Sequence, residues 1–154
     1  MRILFVCLGN ICRSPTAEGV LRHKLAAAGL GQRVQVASAG TGDWHVGKAP
    51  DARTQAAALA RGYDLSAQRA QQASAADFDA YDLILAMDHA NLAQLERLRP
   101  AHNQTRLALF LPHTGQPLED VPDPYYGGED GFEQVLSLIE AGCDVLVSRI
   151  GGSR

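Results

Sequence analysis

Short apolar runs suited to strands alternate with amphipathic stretches suited to helices along the whole chain, and that alternation restricts the fold more than any other feature. Arg2–Cys7 is short, apolar and rich in Ile, Phe and Val, the pattern of a parallel strand buried on both faces. A polar turn, Leu8–Ser14, follows. The next stretch reads as a helix carrying Ala17, Val20, Leu21, Leu25 and Ala28 on one face, with Glu18, Arg22 and Lys24 turned to water. Ser14 before Pro15 reads as its N-cap and first position, and Gly29 and Gly31 as its end. The second unit is a strand over Val34–Ala39, a glycine-rich loop from Gly40 to Lys48, and an alanine-rich helix from Asp51 to Arg61 stopped by Gly62. Asp82–Met87 reads as the third strand, with Asp88 capping a helix that carries Leu92, Leu95 and Leu98. Arg106–Leu111 reads as the fourth strand. Phe132, Val135, Leu136, Ile139, Cys143, Leu146 and Ile150 recur at helical spacing and predict a long final helix with Cys143 in its core stripe. The expected architecture is α/β: a doubly wound, Rossmann-like, four-stranded parallel sheet with helices on both faces, forming one domain over 1–154.

Charge and cysteine content narrow the function. Fourteen Lys plus Arg against seventeen Asp plus Glu give a net charge of −3, which leaves no basic footprint for nucleic acid or an anionic membrane. The longest apolar runs fall far short of the ~20 residues of a spanning helix. The apolar N-terminus meets Asn10, Cys12 and Arg13 before a signal-peptide core could form. Three cysteines argue against a disulfide scaffold and for reduced thiols in the cytoplasm.

In doubly wound sheets, ligands bind beyond the carboxyl ends of the strands. Two segments therefore stand out: the turn after the first strand, and the proline-rich loop Pro112–Asp130, long enough to need a reason. The turn reads Cys7-Leu8-Gly9-Asn10-Ile11-Cys12-Arg13-Ser14-Pro15. Between a strand and a helix N-terminus, its amides would converge as unpaired donors and form an anion cradle reinforced by the helix dipole. Gly9 and Asn10 are types that tolerate the positive φ of a tightly wound turn. Arg13 offers a planar fork for two phosphoryl oxygens, and Cys7 places sulfur beneath the cradle, where the same donors favour its thiolate form. Alone, Cys7 is as well read as a core thiol and Arg13 as a solvent-facing side chain; strand, spacing, Ser14 and Pro15 together favour the cradle.

These residues resemble the low molecular weight protein tyrosine phosphatase family, and the resemblance continues beyond the turn. Val6 to Pro15 is similar to that family's phosphate-binding loop. Ser38-Ala39-Gly40-Thr41 with Trp44-His45, Met87-Asp88 with Asn91-Leu92, and Asp120-Val121-Pro122-Asp123-Pro124-Tyr125 are similar to its later segments, in order. The resemblance implies the phosphotyrosine phosphatase I-like version of the fold and a phosphocysteine mechanism. Cys7 is then the nucleophile, Arg13 the phosphate clamp and Asp123 the general acid and base. Leu8, Gly9, Asn10, Ile11, Cys12 and Ser14 line the phosphate, Trp44, Tyr125 and Tyr126 wall the cleft, and Ser38 and Asp88 give structural support. It further implies that Ser14 hydrogen-bonds the Cys7 sulfur and that Asn10 braces the loop through Ser38. In relatives the tyrosine pair can itself be phosphorylated, and a cysteine pair like Cys7 and Cys12 can form a reversible disulfide; a small packing residue is the other reading of Cys12.

No cofactor and no metal are implied, and His23, His45, His89, His102 and His113 lack a two-histidine metalloprotease spacing. Asp120 is a rival for the acid. Gln68 and Gln71 stand where many bacterial relatives have His and Arg, which leaves Gln68 as a substitute donor to the loop asparagine. Two rival activities share the cradle. Arsenate reduction requires further redox cysteines late in the chain, where only Cys143 stands. Protein-arginine phosphatases of the family tend to have Thr where this chain has Ile11. The expected partners are phosphotyrosine-containing proteins, an autophosphorylating tyrosine kinase among them. The expected assembly is a monomer or weak dimer.

Overall fold

The computed structural model describes residues 1–126 and 129–152, with the side chains of Tyr126 and Glu129 outside that description. Its centre is a four-stranded parallel sheet of β1 (Arg2–Cys7), β2 (Gln35–Gly40), β3 (Leu83–Ala86) and β4 (Arg106–Leu109), in the order β2-β1-β3-β4. The helices are α1 (Arg13–Ala27), α2 (Ala52–Ala60), α3 (Asp77–Ala80), α4 (His89–Leu98), α5 (Phe110–His113) and α6 (Glu129–Gly152), with a 3-10 turn at Pro124–Tyr126. The expected α/β class and doubly wound parallel sheet are what the chain adopts.

Strand alternation divides the core between two faces. Ile3, Phe5 and Cys7 of β1 join Leu83 and Leu85 of β3 in a cluster with Ala17, Val20, Leu21 and Leu25 of α1 and Val135, Leu136, Ile139, Cys143 and Leu146 of α6. Leu4 and Val6 point the other way, with Ile84 and Ala86, and pack beneath Phe78 of α3 and Leu95 of α4. Ile3 to Val6 have no exposed surface, which explains why β1 is apolar at every position rather than alternately. From β1 the chain crosses to β2 on one side and later to β3 on the other, so the order reverses beside the carboxyl end of β1. That crevice is where such a sheet leaves room for a ligand.

Several boundaries differ from the expectation, each for a local reason. Helix α1 begins at Arg13 with Cys12 as its N-cap, because the Ser14 hydroxyl is engaged with neighbouring side chains rather than with the helix amides. Glu18 is not turned to water but is 9% exposed, accepting from the Ser38 hydroxyl at 2.7 Å and pairing with Arg22 at 2.8 Å. Ala28 is the exposed C-cap, and Gly29 takes the left-handed φ of 74° that ends the helix. Strand β4 stops at Leu109, since Pro112 has no amide for a ladder and the Thr114 hydroxyl folds back on the carbonyls of Phe110 and Leu111. Asp51 and Asp88 do cap α2 and α4 through their carboxylates.

Candidate active site

The turn between β1 and α1 closes on itself at the switch point. Carbonyls of Cys7, Leu8, Ile11 and Cys12 accept from the amides of Thr41, Gly42, Asp51 and Thr16 at 2.9–3.3 Å. Among the described residues, no acceptor takes up the amides of Leu8, Gly9, Asn10, Ile11 or Cys12. Four carbonyls of the turn are satisfied while its amides are left over, the arrangement an anion requires. Asn10 supplies the left-handed step, with φ of 56°. Gly9 is glycine for another reason: a side chain there would meet the His45 ring at 2.9 Å. Gly40, the last residue of β2, lies so close to the turn that a Cβ would approach the Leu8 carbonyl oxygen to 2.7 Å and the Asn10 nitrogen to 3.0 Å.

Beneath the turn lies a buried polar network. The Asn10 amide donates to the Ser14 hydroxyl at 2.8 Å and to the Ser38 hydroxyl at 2.9 Å, and its oxygen accepts from the Gln71 backbone amide at 2.9 Å. The Ser38 hydroxyl in turn donates to Glu18 at 2.7 Å, and the Gln71 side chain donates to the Ser38 carbonyl at 2.9 Å. Cys7 Sγ lies 3.0 Å from Ser14 Oγ. The expected substitute donor, Gln68, does not reach Asn10; its amide donates to the Pro15 carbonyl at 3.0 Å. Gln71 does the bracing through its main chain, which any residue type can supply, so no side-chain signal marks it.

Arg13 is 2% exposed. Its Nη1 donates to Asp88 at 2.6 Å and to the Val121 carbonyl at 3.1 Å, and its Nη2 lies 3.6 Å from Asp123. Burial would weaken its charge, but Cys7 and Asp88 outweigh that and hold the guanidinium above its ordinary range. Asp88 thereby fixes Arg13 with one oxygen while capping α4 with the other, which accepts from Asn91 at 2.8 Å.

A cleft of about 360 Å³ opens over the turn, lined by Cys7, Leu8, Gly9, Ile11, Cys12 and Arg13 below and by Trp44, His45, Asp123 and Tyr125 at the rim. Most of the expected site residues thus meet here. Asn10, Ser14, Ser38 and Asp88 stand behind it, and the side chain of Tyr126 lies outside the described residues. Trp44 is 64% exposed, a rim residue rather than a buried wall. His45 was not among the expected lining residues; one more polar side chain in a glycine-rich loop carries no distinctive signal. Asp120 is elsewhere, its carboxylate engaged by the amide and ring of His89 at 3.1 and 2.7 Å. Cys7, Cys12 and Cys143 are buried free thiols. Burial pushes the Cys12 thiol up to about 12, so it stays protonated near neutrality, and burial raises Cys143 as well.

The chain is similar to known proteins over nearly its whole length. A low molecular weight protein-tyrosine-phosphatase of Streptomyces coelicolor is 43% identical over 153 residues, 97% of this chain and 93% of that protein. The crystal structure of YfkJ from Bacillus subtilis superposes with a TM-score of 0.92 at 39% identity, covering 100% of this chain and 96% of the other. Drosophila arginine phosphatase superposes with the same TM-score of 0.92 at 33% identity, over the full length of both chains. The sequence profile of the low molecular weight phosphotyrosine protein phosphatases matches residues 2–153, and with these relatives it makes the chain a member of that family of phosphatase enzymes.

Proposed function

We propose that this enzyme hydrolyses phosphotyrosine in proteins through a phosphocysteine intermediate, and one observation carries the reading. Cys7 sulfur lies at the base of a ring of unpaired amides, with Arg13 on one side and Asp123 across the cleft. The amides and Arg13 hold the three non-bridging oxygens and aim phosphorus at sulfur. The Cys7 thiolate forms the S–P bond as the P–O bond to the aryl group breaks, and Asp123 gives its proton to the departing phenolate. Asp123 then takes a proton from water as that water attacks phosphorus, releasing inorganic phosphate and the thiolate. Charge spread over the oxygens in both steps is stabilised by donors already in position.

Ser14 supports the leaving sulfur. Both Asn10 amide protons are committed to Ser14 and Ser38, so Ser14 accepts from Asn10 and keeps its own proton. The sulfur at 3.0 Å is a nearer acceptor for it than the Ala39 carbonyl at 3.3 Å.

Likeness to an arginine phosphatase gives phosphoarginine a place as second substrate class. Ile11 favours tyrosine: it presents an apolar surface to the cleft, suited to a phenyl ring and offering no hydroxyl to a guanidino group. Turnover of phosphotyrosine, phosphoserine and phosphoarginine peptides by wild type and Cys7→Ser decides between them. The expected result is turnover of phosphotyrosine alone, abolished in Cys7→Ser. Comparable kcat/KM on phosphoarginine would transfer the reading to the second class.

A further inference from the structure

Arg53 lies on α2, outside the cleft, yet it touches the groups that position both loops facing the cleft. Asp51 donates its amide to the Ile11 carbonyl of the phosphate-binding loop at 2.9 Å. Its carboxylate caps α2 and receives Arg53 as a fork, Nε to Oδ1 at 3.2 Å and Nη2 to Oδ2 at 3.1 Å. From there the guanidinium reaches the opposite loop. Nη2 donates to the Tyr125 carbonyl at 3.3 Å, and Cζ lies 5.3 Å from the centre of the Tyr125 ring and 4.8 Å from that of Phe132. The Tyr125 amide in turn donates to Asp123 Oδ1 at 3.0 Å. A continuous run of contacts therefore leads from Ile11 through Asp51, Arg53 and Tyr125 to Asp123.

The acid needs such a link. Besides Tyr125, the charge nearest the Asp123 carboxylate is Arg13 at 3.6 Å, beyond hydrogen-bonding distance, and that side chain is 31% exposed. Proton transfer in an aryl phosphate depends steeply on where the donor sits. A planar guanidinium can pair with Asp51 as a fork, lie flat against two rings and donate to a carbonyl at once; an ammonium, a point charge without the fork, cannot meet all three from one place.

We propose that Arg53 is a positioning residue for proton transfer, holding the 3-10 turn against the phosphate-binding loop so that Asp123 stays over the leaving oxygen. The inference rests on the reading of Asp123 as the acid. Its test compares Arg53→Ala and Arg53→Lys with wild type on phenyl phosphate and on 4-nitrophenyl phosphate, whose leaving group departs without a proton. Arg53→Ala should lower kcat on phenyl phosphate by ~10–10²-fold, the scale expected of a small misplacement. The loss should be far smaller on the nitrophenyl ester, with inhibition by inorganic phosphate unchanged within about twofold because Asp51 holds the Ile11 carbonyl through its main-chain amide, which the substitution leaves in place. Arg53→Lys should be impaired nearly as much as Arg53→Ala. In an Asp123→Ala background, Arg53→Ala should cost nothing further. Equal losses on both esters, additive losses with Asp123→Ala, full rescue by lysine, or no loss at all would each overturn the proposal. Asp123→Ala alone keeps the two readings apart: without a leaving-group-dependent loss there, the acid assignment fails independently of Arg53.

Discussion

The two loops that face each other across the cleft are held in different ways. On one side, Asn10 is 3% exposed and Ser14 not at all; both polar atoms of the Asn10 side chain have partners, and the loop is tied to β2, α1 and the segment around Gln71. On the other, Pro122, Asp123 and Tyr125 are exposed, and Asp123 is oriented by one amide and a distant guanidinium. The difference follows the chemistry each side carries. A binding loop that must meet charge developing on three oxygens gains from being rigid before substrate arrives. An acid that gives up a proton and later takes one back must stay reachable by water and by a departing phenol. Buried cooperative bonding therefore sets the geometry of the whole first loop, whereas the second is anchored in the interior at Val121 and carries Asp123 on contacts near the surface.

In the proposed mechanism Asp123 is acid first and base second, and only the first task is read through the leaving group, in kcat/KM, which reports formation of the phosphocysteine. Asp123→Ala should lower kcat/KM on phosphotyrosine by ~10²–10⁴, the usual range for losing a general acid, and by much less on 4-nitrophenyl phosphate. Asp120→Ala, whose carboxylate engages His89, should show neither loss. Steady-state kinetics on the two substrates checks this, and the reverse pattern would move the acid by three residues.

The binding side should respond in the opposite manner, with losses indifferent to the leaving group. Arg13→Lys keeps a charge but loses the fork, so kcat should fall by ~10²–10³ on both substrates. A change confined to KM would mean that Arg13 binds the ground state only.

The smallest effect concerns stability. Asn10→Ala leaves the Ser14 and Ser38 hydroxyls and the Gln71 amide without their partner and puts alanine at a positive φ. Denaturant unfolding should show a loss of ~1–3 kcal/mol from the unpaired groups. Asn10→Gly removes the same bonds without the backbone strain and should lie between wild type and alanine. If glycine matched wild type, the network would matter less to the loop than its dihedral angle.

How far each loop could be read from the sequence follows the same division. The binding loop was legible because its chemistry is local: Cys7, Asn10, Arg13 and Ser14 are neighbours in sequence, and a strand and a helix flank them visibly. The sheet was legible because burial on both faces makes β1 and β3 continuously apolar. What joins distant segments was not. Glu18 looked solvated because an acid on a helix usually is, and only the fold brings Ser38 to it. Gln71 reaches Asn10 through its main chain, and Arg53 meets the opposite loop through ring contacts and a main-chain carbonyl, and neither contact leaves a mark in spacing or composition. Helix α1 starts two residues before the point that Ser14 and Pro15 suggest, and the Ser14 hydroxyl lies against the Cys7 sulfur instead of capping the helix.

Gly40 has no functional group, yet its missing side chain is a dimension of the ring: the Leu8 carbonyl and the Asn10 nitrogen occupy the space a methyl would need. Both contacts are main-chain atoms, which no rotamer change can move aside. Drift at this position is therefore limited by the packing of β2 against the main chain of the turn rather than by charge. A chain selected to accept a larger oxyanion would have to move β2 away from the turn before any substitution inside the ring could help.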